Sequence, residues 1–256
     1  MKAIVFDKTN GPHLDENYPD PSPRDGQVLV AVETIGVCKT DLEILKGYMG
    51  FEGVIGHEFV GTVIQGPDEW MSKRIVAEIN CNCGECEMCR AGRGNHCPER
   101  SVLGIAGADG VMAQRAVVPI ANLHLLPDTL TNDQAVFTEP LAAAMRIGQQ
   151  VDLRGASVVV LGDGRLGQLA ARAIKPVAAS VQLVGKHAAK LQLAAQAGLE
   201  TIELDKFAPG RSADVVVDAT GSPAGFELAI RTVRPLGTVV LKSTFATDAG
   251  INMAPI

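Results

Sequence analysis

Five of the six cysteines in this 256-residue chain lie within one short segment. Four of them form the array Cys83-x2-Cys86-x2-Cys89-x7-Cys97. Spacings of two residues let successive thiolates converge on one ion, and four thiolates complete a closed tetrahedral Zn²⁺ site that holds a loop in place. An iron–sulfur cluster is the alternative, although its common run is C-x2-C-x2-C-x3-C. Cys81 has no predicted role and suits a small buried apolar position.

Three separate fragments carry further residues that could bind a metal. They are Val37-Cys38-Lys39-Thr40-Asp41, Gly56-His57-Glu58 and Thr138-Glu139-Pro140-Leu141. Each alone is as typical of a core cysteine or of a polar pair. A catalytic zinc takes about three protein ligands and leaves one position open, and Cys, His and Glu together meet that requirement. The three fragments therefore predict a second zinc site.

A glycine-rich loop, Gly162-Asp-Gly164-Arg-Leu166-Gly167, follows a predicted strand and begins a predicted helix. In that context the first glycine permits a tight turn and the second lets a pyrophosphate approach the backbone. The third lets helix and strand pack closely. The helix N-terminus offers free N–H groups to phosphates. The loop therefore predicts dinucleotide binding, and a glycine-rich turn without a ligand is the alternative.

The end of the second strand of this half bears on the choice of dinucleotide. NAD enzymes place an acidic residue there, roughly 20 residues after the first glycine. This chain has Gly185, Lys186 and His187 instead, and no acidic residue occurs from Gly164 to Leu199. Cations beside a small residue favour the 2′-phosphate of NADP over the ribose diol of NAD. The alternative is that Lys186 is an ordinary solvated loop lysine.

The chain that positions these residues divides into two halves with different patterns of predicted strands and helices. The second half alternates strands and helices, which predicts a doubly wound parallel sheet. The predicted strands there are 157–161, 181–184, 201–204, 215–218 and 237–242, and the predicted helices are 165–173, 190–197 and one capped by Ser222 with Pro223 at its first position.

The first half has short β-type runs between turn-rich stretches, which is typical of an irregular β domain. Its predicted strands are 4–6, 28–32, 59–64, 75–79 and 117–120. A connecting helix is predicted over 131–151, with Thr131 and Gln134 forming a capping box. Pro140 is expected to kink that helix or to begin a second one.

With these motifs in this order and spacing, the sequence resembles the medium-chain dehydrogenase/reductase family. The resemblance covers all 256 residues and is to the zinc-containing side, with its alcohol, sorbitol and threonine dehydrogenases. It implies a GroES-like catalytic domain over 1–145, with a structural-zinc lobe at about residues 80–100. A Rossmann domain would follow over 146–256, giving an α/β chain that is C-terminally truncated.

The resemblance also implies roles for single residues. Cys38 and His57 would ligate the catalytic zinc, Glu58 would be a further or exchangeable ligand, and Glu139 would approach the metal directly or through its water. Asp41 would orient His57. 

Two residues that follow Cys38 would serve the substrate and the cofactor. Thr40 would hydrogen-bond the substrate hydroxyl and begin a proton relay, and Lys39 would reach the cofactor pyrophosphate. Relatives often have a His three residues after the relay hydroxyl, where this chain has Glu43.

The activity implied is hydride transfer between an alcohol or polyol, or the matching carbonyl, and NAD(P), with two zinc ions per chain and NADP preferred. Family members continue with a sixth strand and a return to the catalytic domain, so this chain is expected to be incomplete. The alternative is a catalytically inactive zinc- and nucleotide-binding truncated homologue. The zinc-free quinone reductase branch is disfavoured, because it has no need of Cys38, His57 or the four-cysteine lobe.

Composition excludes several other classes. The net charge of −6 argues against nucleic acid or an anionic membrane as partner. No apolar run reaches membrane-spanning length, and the N-terminus lacks the long apolar stretch of a signal peptide. A cytoplasmic protein with a small-molecule substrate is expected, and full-length relatives are expected to be homo-oligomers.

Overall fold

The computed structural model describes residues 1–242, which fall into two compact units. The first comprises Met1–Glu139, and the second begins at Pro140. The expected C-terminal truncation concerns residues 243–256 and what would follow them, and these lie outside the described residues. Within the described part of the chain, no helix is both long enough and apolar enough to cross a membrane.

The first unit consists mainly of short strands. They are β1 Ala3–Asp7, β2 Gly11–Asp15, β3 Gln27–Gly36, β4 Gly53–Val54, β5 Glu58–Gln65, β6 Arg74–Ala77, β7 Asn80–Cys81, β8 Ser101–Leu103, β9 Gly107–Ala108, β10 Arg115–Pro119 and β11 Leu123–Leu125. Its helices are α1 Lys39–Ile44, α2 Glu87–Arg90 and α3 Asn132–Ala135, with 3₁₀ turns at Tyr48–Gly50, Gly94–His96 and Ile120–Asn122.

The central sheet of this unit has the order β10-β3-β5-β6-β11, with every neighbouring pair antiparallel. Its inward side chains form an aliphatic core that includes Val28, Val30, Val63 and Ile75. Each β-type run predicted for this half overlaps one of the strands, although the runs 75–79 and 117–120 extend past the ends of β6 and β10. The two- to five-residue strands β2, β4, β7, β8, β9 and β11 were not predicted, because segments this short show no period and owe their form to pairing.

The second unit alternates strands and helices, as predicted. It contains β12 Ser157–Leu161, α5 Arg165–Ile174, β13 Ser180–Gly185, α6 Ala188–Gln196, β14 Glu200–Glu203, β15 Ala213–Asp218, α7 Pro223–Thr232 and β16 Val233–Leu241, with a 3₁₀ turn at Leu204–Lys206. The strand order is β14-β13-β12-β15-β16, and all pairs are parallel.

Buried parallel strands explain the sequence of this unit. Val158 and Val160 point into a core that they share with Ala170 and Ala171 of α5 and Leu183 of β13. Apolar side chains on both faces of β12 account for its uninterrupted run of hydrophobic residues. The strand order runs from β12 to β13 on one side and to β15 on the other, so the direction of winding changes beside β12.

The connecting segment is divided between two helices. Thr131 caps α3, its hydroxyl accepting the N–H of Gln134, and the predicted capping box is confirmed. Of the two outcomes expected at Pro140, the structure has the second, because a separate helix, α4 Thr138–Gln150, begins after a break. Pro140 lies in the first turn of α4, where its missing N–H costs nothing.

Candidate functional site

The pairing of β3 with β5 brings together three candidate metal ligands in the first unit. Gly36 at the end of β3 lies opposite Glu58. Cys38 follows two residues later, and His57 immediately precedes β5. The ligand atoms of Cys38, His57 and Glu58 all lie within 4.8 Å of one another. His57 and Glu58 are buried, and Cys38 is half-buried.

Gly36 makes room for this arrangement. A Cβ atom at that position would lie 2.3 Å from Oε2 of Glu58. The backbone of Gly36 is not left-handed, so the space, and not the torsion angle, requires glycine there. The absence of a side chain at residue 36 therefore lets the Glu58 carboxylate lie against the strand.

Asp41 contacts both ends of the group. Its Oδ2 accepts the backbone N–H of Cys38 at 2.8 Å, and its Oδ1 lies 3.1 Å from Nδ1 of His57. Oδ1 of Asp41 and Nδ1 of His57 are both buried, and neither has another hydrogen-bond partner among residues 1–242. Nε2 is thus the ring atom of His57 that remains for a metal.

The electrostatics of the group suit a cation. Burial lowers the pKa of His57, but Asp41 and then Cys38 outweigh it and raise the pKa to about 10. The raised pKa means that the group favours a positive charge on the ring, and a metal ion at Nε2 would supply that charge in place of a proton. Zn²⁺ takes sulfur, nitrogen and carboxylate oxygen ligands, so this donor set fits it.

The other residues predicted around this site lie on two helices. Lys39 and Thr40 form the first turn of α1, with Lys39 exposed and Thr40 half-buried. Glu139 is the second residue of α4 and is not one of the three mutually close ligands, so its contact with a metal stays a prediction. Glu43 is buried, and its Oε1 accepts Nζ of Lys46 at 2.9 Å.

The four cysteines of the predicted structural site form a second group. Their sulfur atoms all lie within 4.8 Å of one another. Three of the separations are 3.5 Å (Cys86–Cys89), 3.6 Å (Cys97–Cys83) and 3.9 Å (Cys83–Cys89). Tetrahedral coordination with Zn–S bonds of about 2.3 Å requires sulfurs roughly 3.8 Å apart. The group therefore fits a single ion and is too compact for a cluster of several irons.

Local backbone structure holds these sulfurs. Cys86 is the N-cap of α2 and accepts the N–H of Cys89, while Cys83 accepts the N–H of Cys86. The backbone N–H groups of Glu85 and Cys86 lower the pKa of Cys83 to about 7, whereas desolvation and the neighbouring thiols raise that of Cys89 to about 12. The thiolate of Cys89 is therefore disfavoured beside the other sulfurs, and a bound cation would favour it.

The pairing of β7 with β8 closes the base of this lobe. Cys81 lies on β7 outside the group, with its sulfur 3.7 Å from Nδ2 of Asn122. Burial raises the pKa of the Cys81 thiol. Cys81 is only half-buried and contacts a polar side chain, so it does not occupy the buried apolar position expected for it.

In the second unit, the glycine loop lies at the carboxyl end of β12. Gly162 has φ +108°, and Gly167 has no room for a side chain, since a Cβ there would lie 1.8 Å from the carbonyl oxygen of Gly162. A Cβ on Gly164 would meet nothing within 4 Å, and no side chain caps the N-terminus of α5 that follows it. The turn, the open approach and the close packing match the three tasks predicted for these glycines.

Leu166 lies in the first turn of α5 and packs against the apolar core of its unit. Cofactor binding by Leu166 stays a prediction, and it would involve the backbone of Leu166 because the side chain faces the core. Lys186 and His187 are exposed after β13, and Gly185 ends that strand.

The structure places a carboxylate at the end of β13, although no acidic residue occurs near Gly185 in the sequence. The Asp163 side chain, from the glycine loop, lies directly over Gly185, where a Cβ would be 2.4 Å from the Cβ of Asp163. Oδ2 of Asp163 accepts the backbone N–H groups of Lys186 (2.9 Å) and His187 (2.7 Å). This contact was not predicted, because Asp163 belongs to the glycine loop, a segment separated from Gly185 by α5 and most of β13.

Burial raises the pKa of Asp163, but the ring and backbone of His187 outweigh it and hold the pKa below its usual range.

A turn at the end of β15 was also not predicted. Asp218 accepts the N–H and the hydroxyl of Thr220 there, and the Ala219 backbone packs against Gly162. The sequence signal was an Asp-x-Thr-Gly run directly after a strand.

Known proteins share this fold and these motifs. Residues 24–128 match the alcohol dehydrogenase GroES-like domain. The chain is 31% identical over 251 residues to L-threonine 3-dehydrogenase of Xanthomonas euvesicatoria pv. vesicatoria (strain 85-10), covering 88% of this chain and 72% of that protein.

Solved structures agree. A protein of Sinorhizobium meliloti 1021 assigned as a zinc-binding dehydrogenase and bound to NADP superposes with a TM-score of 0.87 at 28% identity, covering 99% of this chain and 80% of that one. An Escherichia coli CFT073 alcohol dehydrogenase solved with NADH gives a TM-score of 0.88 at 26% identity, covering 100% and 80%.

This chain therefore belongs to the zinc-type medium-chain dehydrogenase/reductase family. Its fold is the one that the family resemblance implied, a GroES-like β unit and a Rossmann-type parallel sheet. The protein is accordingly an oxidoreductase of the dehydrogenase type.

Proposed function

We propose that this chain is a zinc-dependent dehydrogenase that transfers hydride between an alcohol or polyol, or the matching carbonyl, and NADP(H). The observation that carries this proposal is the group of Cys38, His57 and Glu58, with ligand atoms within 4.8 Å of one another. Three ligands of these types leave one position for the substrate. When bound, zinc supplies a Lewis acid toward the substrate oxygen.

The protein residues around that position have separate tasks. Cys38, His57 and Glu58 hold the ion, and Glu139 approaches it directly or through a water. Asp41 keeps His57 oriented so that Nε2 faces the metal. The fixed geometry is supported by the burial of His57, Glu58 and Asp41.

Proton transfer is assigned to the first turn of α1. Thr40, two residues after Cys38, hydrogen-bonds the substrate hydroxyl and accepts its proton for transfer outward. Lys39, which is exposed, binds the cofactor pyrophosphate. Glu43 stands where relatives have a His, and its carboxylate is already paired with Lys46.

The dinucleotide is assigned to the loop Gly162–Gly167 and the end of β13. Free N–H groups at the start of α5, beside Gly164, Leu166 and Gly167, receive the pyrophosphate. NADP is preferred over NAD because Lys186 and His187 are the exposed side chains next to Gly185. The nicotinamide itself supplies the hydride chemistry.

A second, structural zinc is assigned to Cys83, Cys86, Cys89 and Cys97, which gives two ions per chain. The spacing of their sulfur atoms supports it. A cytoplasmic location for this chain and a homo-oligomeric state for its full-length relatives complete the proposal, and light scattering on a purified full-length relative tests the latter.

Metal analysis combined with a substrate panel tests the proposal. We expect two zinc ions per chain and reduction of NADP by an alcohol or polyol. Cys38→Ser should abolish turnover and remove one zinc, whereas Cys81→Ser, which lies outside both groups, should leave both unchanged. A protein that holds one zinc, binds nucleotide and oxidises no member of the panel is an inactive binding homologue, and the proposal is then wrong.

A further inference from the structure

The loop that follows β13 is held in place by Asp163, a residue of the glycine loop. Asp163 connects to this loop through three contacts. Oδ2 accepts the N–H groups of Lys186 and His187 at 2.9 and 2.7 Å, and Oδ1 lies 2.9 Å from Nδ1 of the His187 ring. These contacts tie the glycine loop at the end of β12 to the loop at the end of β13, its neighbouring strand in the sheet.

The space for the carboxylate is specific. Gly185 has no side chain, and a Cβ there would lie 2.5 Å from Oδ2 of Asp163. The backbone of Gly185 is not left-handed, so an alanine would be acceptable there on torsion alone. Glycine at residue 185 is therefore needed to admit Asp163.

The distribution of charge decides what this arrangement can bind. Only 7% of the Asp163 side chain is exposed, against 58% for His187. The carboxylate is turned inward and matched by three donors, whereas Lys186 and His187 face solvent. Since a carboxylate only accepts, Nδ1 of His187 carries a hydrogen, and Nε2 is left for a ligand.

We propose that Asp163 is a positioning residue that presents His187 and Lys186 to the 2′-phosphate of NADP(H), and so sets the dinucleotide preference of this chain. The inference rests on the proposed function and names the group that reads the cofactor. An exposed acid at the end of this strand binds the ribose diol of NAD. The buried acid here instead aligns donors for an anion.

Titration of the purified chain with NADPH and with NADH, followed by nicotinamide fluorescence, tests the inference. The wild-type protein should bind NADPH more tightly. Asp163→Asn should weaken NADPH about 10- to 100-fold, the size of a lost hydrogen bond to a charged group, while NADH changes less than about threefold. His187→Gln should do the same, and the double variant should lose little more.

Asp152→Asn is the matched control. Asp152 is also a hydrogen-bonded aspartate, paired with Arg154, but it precedes the N-terminal end of β12, whereas Asp163 follows the carboxyl end. It changes the net charge equally and should leave both affinities unchanged. Gly185→Ala, which displaces Asp163 without altering any charge, should reproduce the selective loss of NADPH.

Other outcomes overturn the inference. Equal weakening of NADPH and NADH in Asp163→Asn assigns the residue a purely structural role, and tighter NADPH binding makes it a repulsive anion. If Asp163→Asn does not fold, unchanged NADPH binding by the surface variant His187→Gln is sufficient to reject it. A wild-type preference for NADH rejects the inference and the proposed preference for NADP but leaves the assignment as a zinc-dependent dehydrogenase standing, whereas binding of neither dinucleotide removes both.

Discussion

Oδ1 of Asp41 lies 3.1 Å from Nδ1 of His57, and the other oxygen of the same carboxylate accepts the backbone N–H of Cys38 at 2.8 Å. One buried side chain thereby fixes two of the three candidate zinc ligands. Groups that orient a metal-bound imidazole commonly contribute 10- to 100-fold, as an order of magnitude, to metal affinity.

Asp41→Asn should therefore release the catalytic zinc about 10- to 100-fold more readily, because the amide cannot hold both the His57 ring and the Cys38 N–H. Zinc competition with a graded series of chelators measures this. Asp133→Asn, an exposed aspartate in the first turn of α3, is the control and should match the wild-type protein. Equal zinc retention by both variants would show that Asp41 does not support the site.

Gly36→Ala should weaken the same zinc site by about tenfold, since the new Cβ would lie 2.3 Å from Oε2 of Glu58 and push the carboxylate away. The comparison variant is Gly148→Ala, in which the nearest atom to the new Cβ is an ordinary 3.6 Å contact with Leu153. Metal content after dialysis distinguishes them. Wild-type metal content in Gly36→Ala would mean that Glu58 is not a necessary ligand.

Cys97→Ser should remove the structural zinc and expose the lobe between β7 and β8 to proteases, because three sulfurs no longer close the tetrahedron. The catalytic zinc should stay. Cys81→Ser tests for a general effect of cysteine replacement and should keep two ions. Limited proteolysis with metal analysis reports both properties, and an intact, protease-resistant lobe in Cys97→Ser would contradict the assignment.

Two glycines of the dinucleotide loop should fail in different ways when replaced by alanine. Gly167→Ala puts a Cβ 1.8 Å from a backbone oxygen, so overpacking should destabilise the second unit by about 3 kcal/mol or more. Gly164→Ala meets nothing within 4 Å and should keep its melting temperature. Its methyl group stands where the pyrophosphate approaches, so nucleotide binding should fall.

Thermal unfolding and nucleotide titration of the same two proteins provide the measurement. A stable Gly167→Ala or a Gly164→Ala that binds nucleotide normally would contradict the roles given to these positions. Gly164 and Gly167 belong to one motif, and the expected difference between the two variants comes from the atoms around each glycine.

The sequence by itself determined the features that depend on local spacing. The four-cysteine array and the three glycines were read from short segments, because a metal loop and a strand–turn–helix connection are each built from neighbouring residues. The β12 bounds and the Ser222–Pro223 helix start agree with the structure for the same reason. Buried parallel strands also leave a continuous apolar run that needs no partner to be recognised.

Only the tertiary structure decided the contacts between distant residues. The register of Gly36 against Glu58 brings Cys38 to His57, and the two-residue strands exist only through such pairing. Asp163 supplies the carboxylate at the end of β13 although no acid is near Gly185 in sequence. A side chain can reach any residue that folding brings within a few ångströms, and the order of residues along the chain does not specify which.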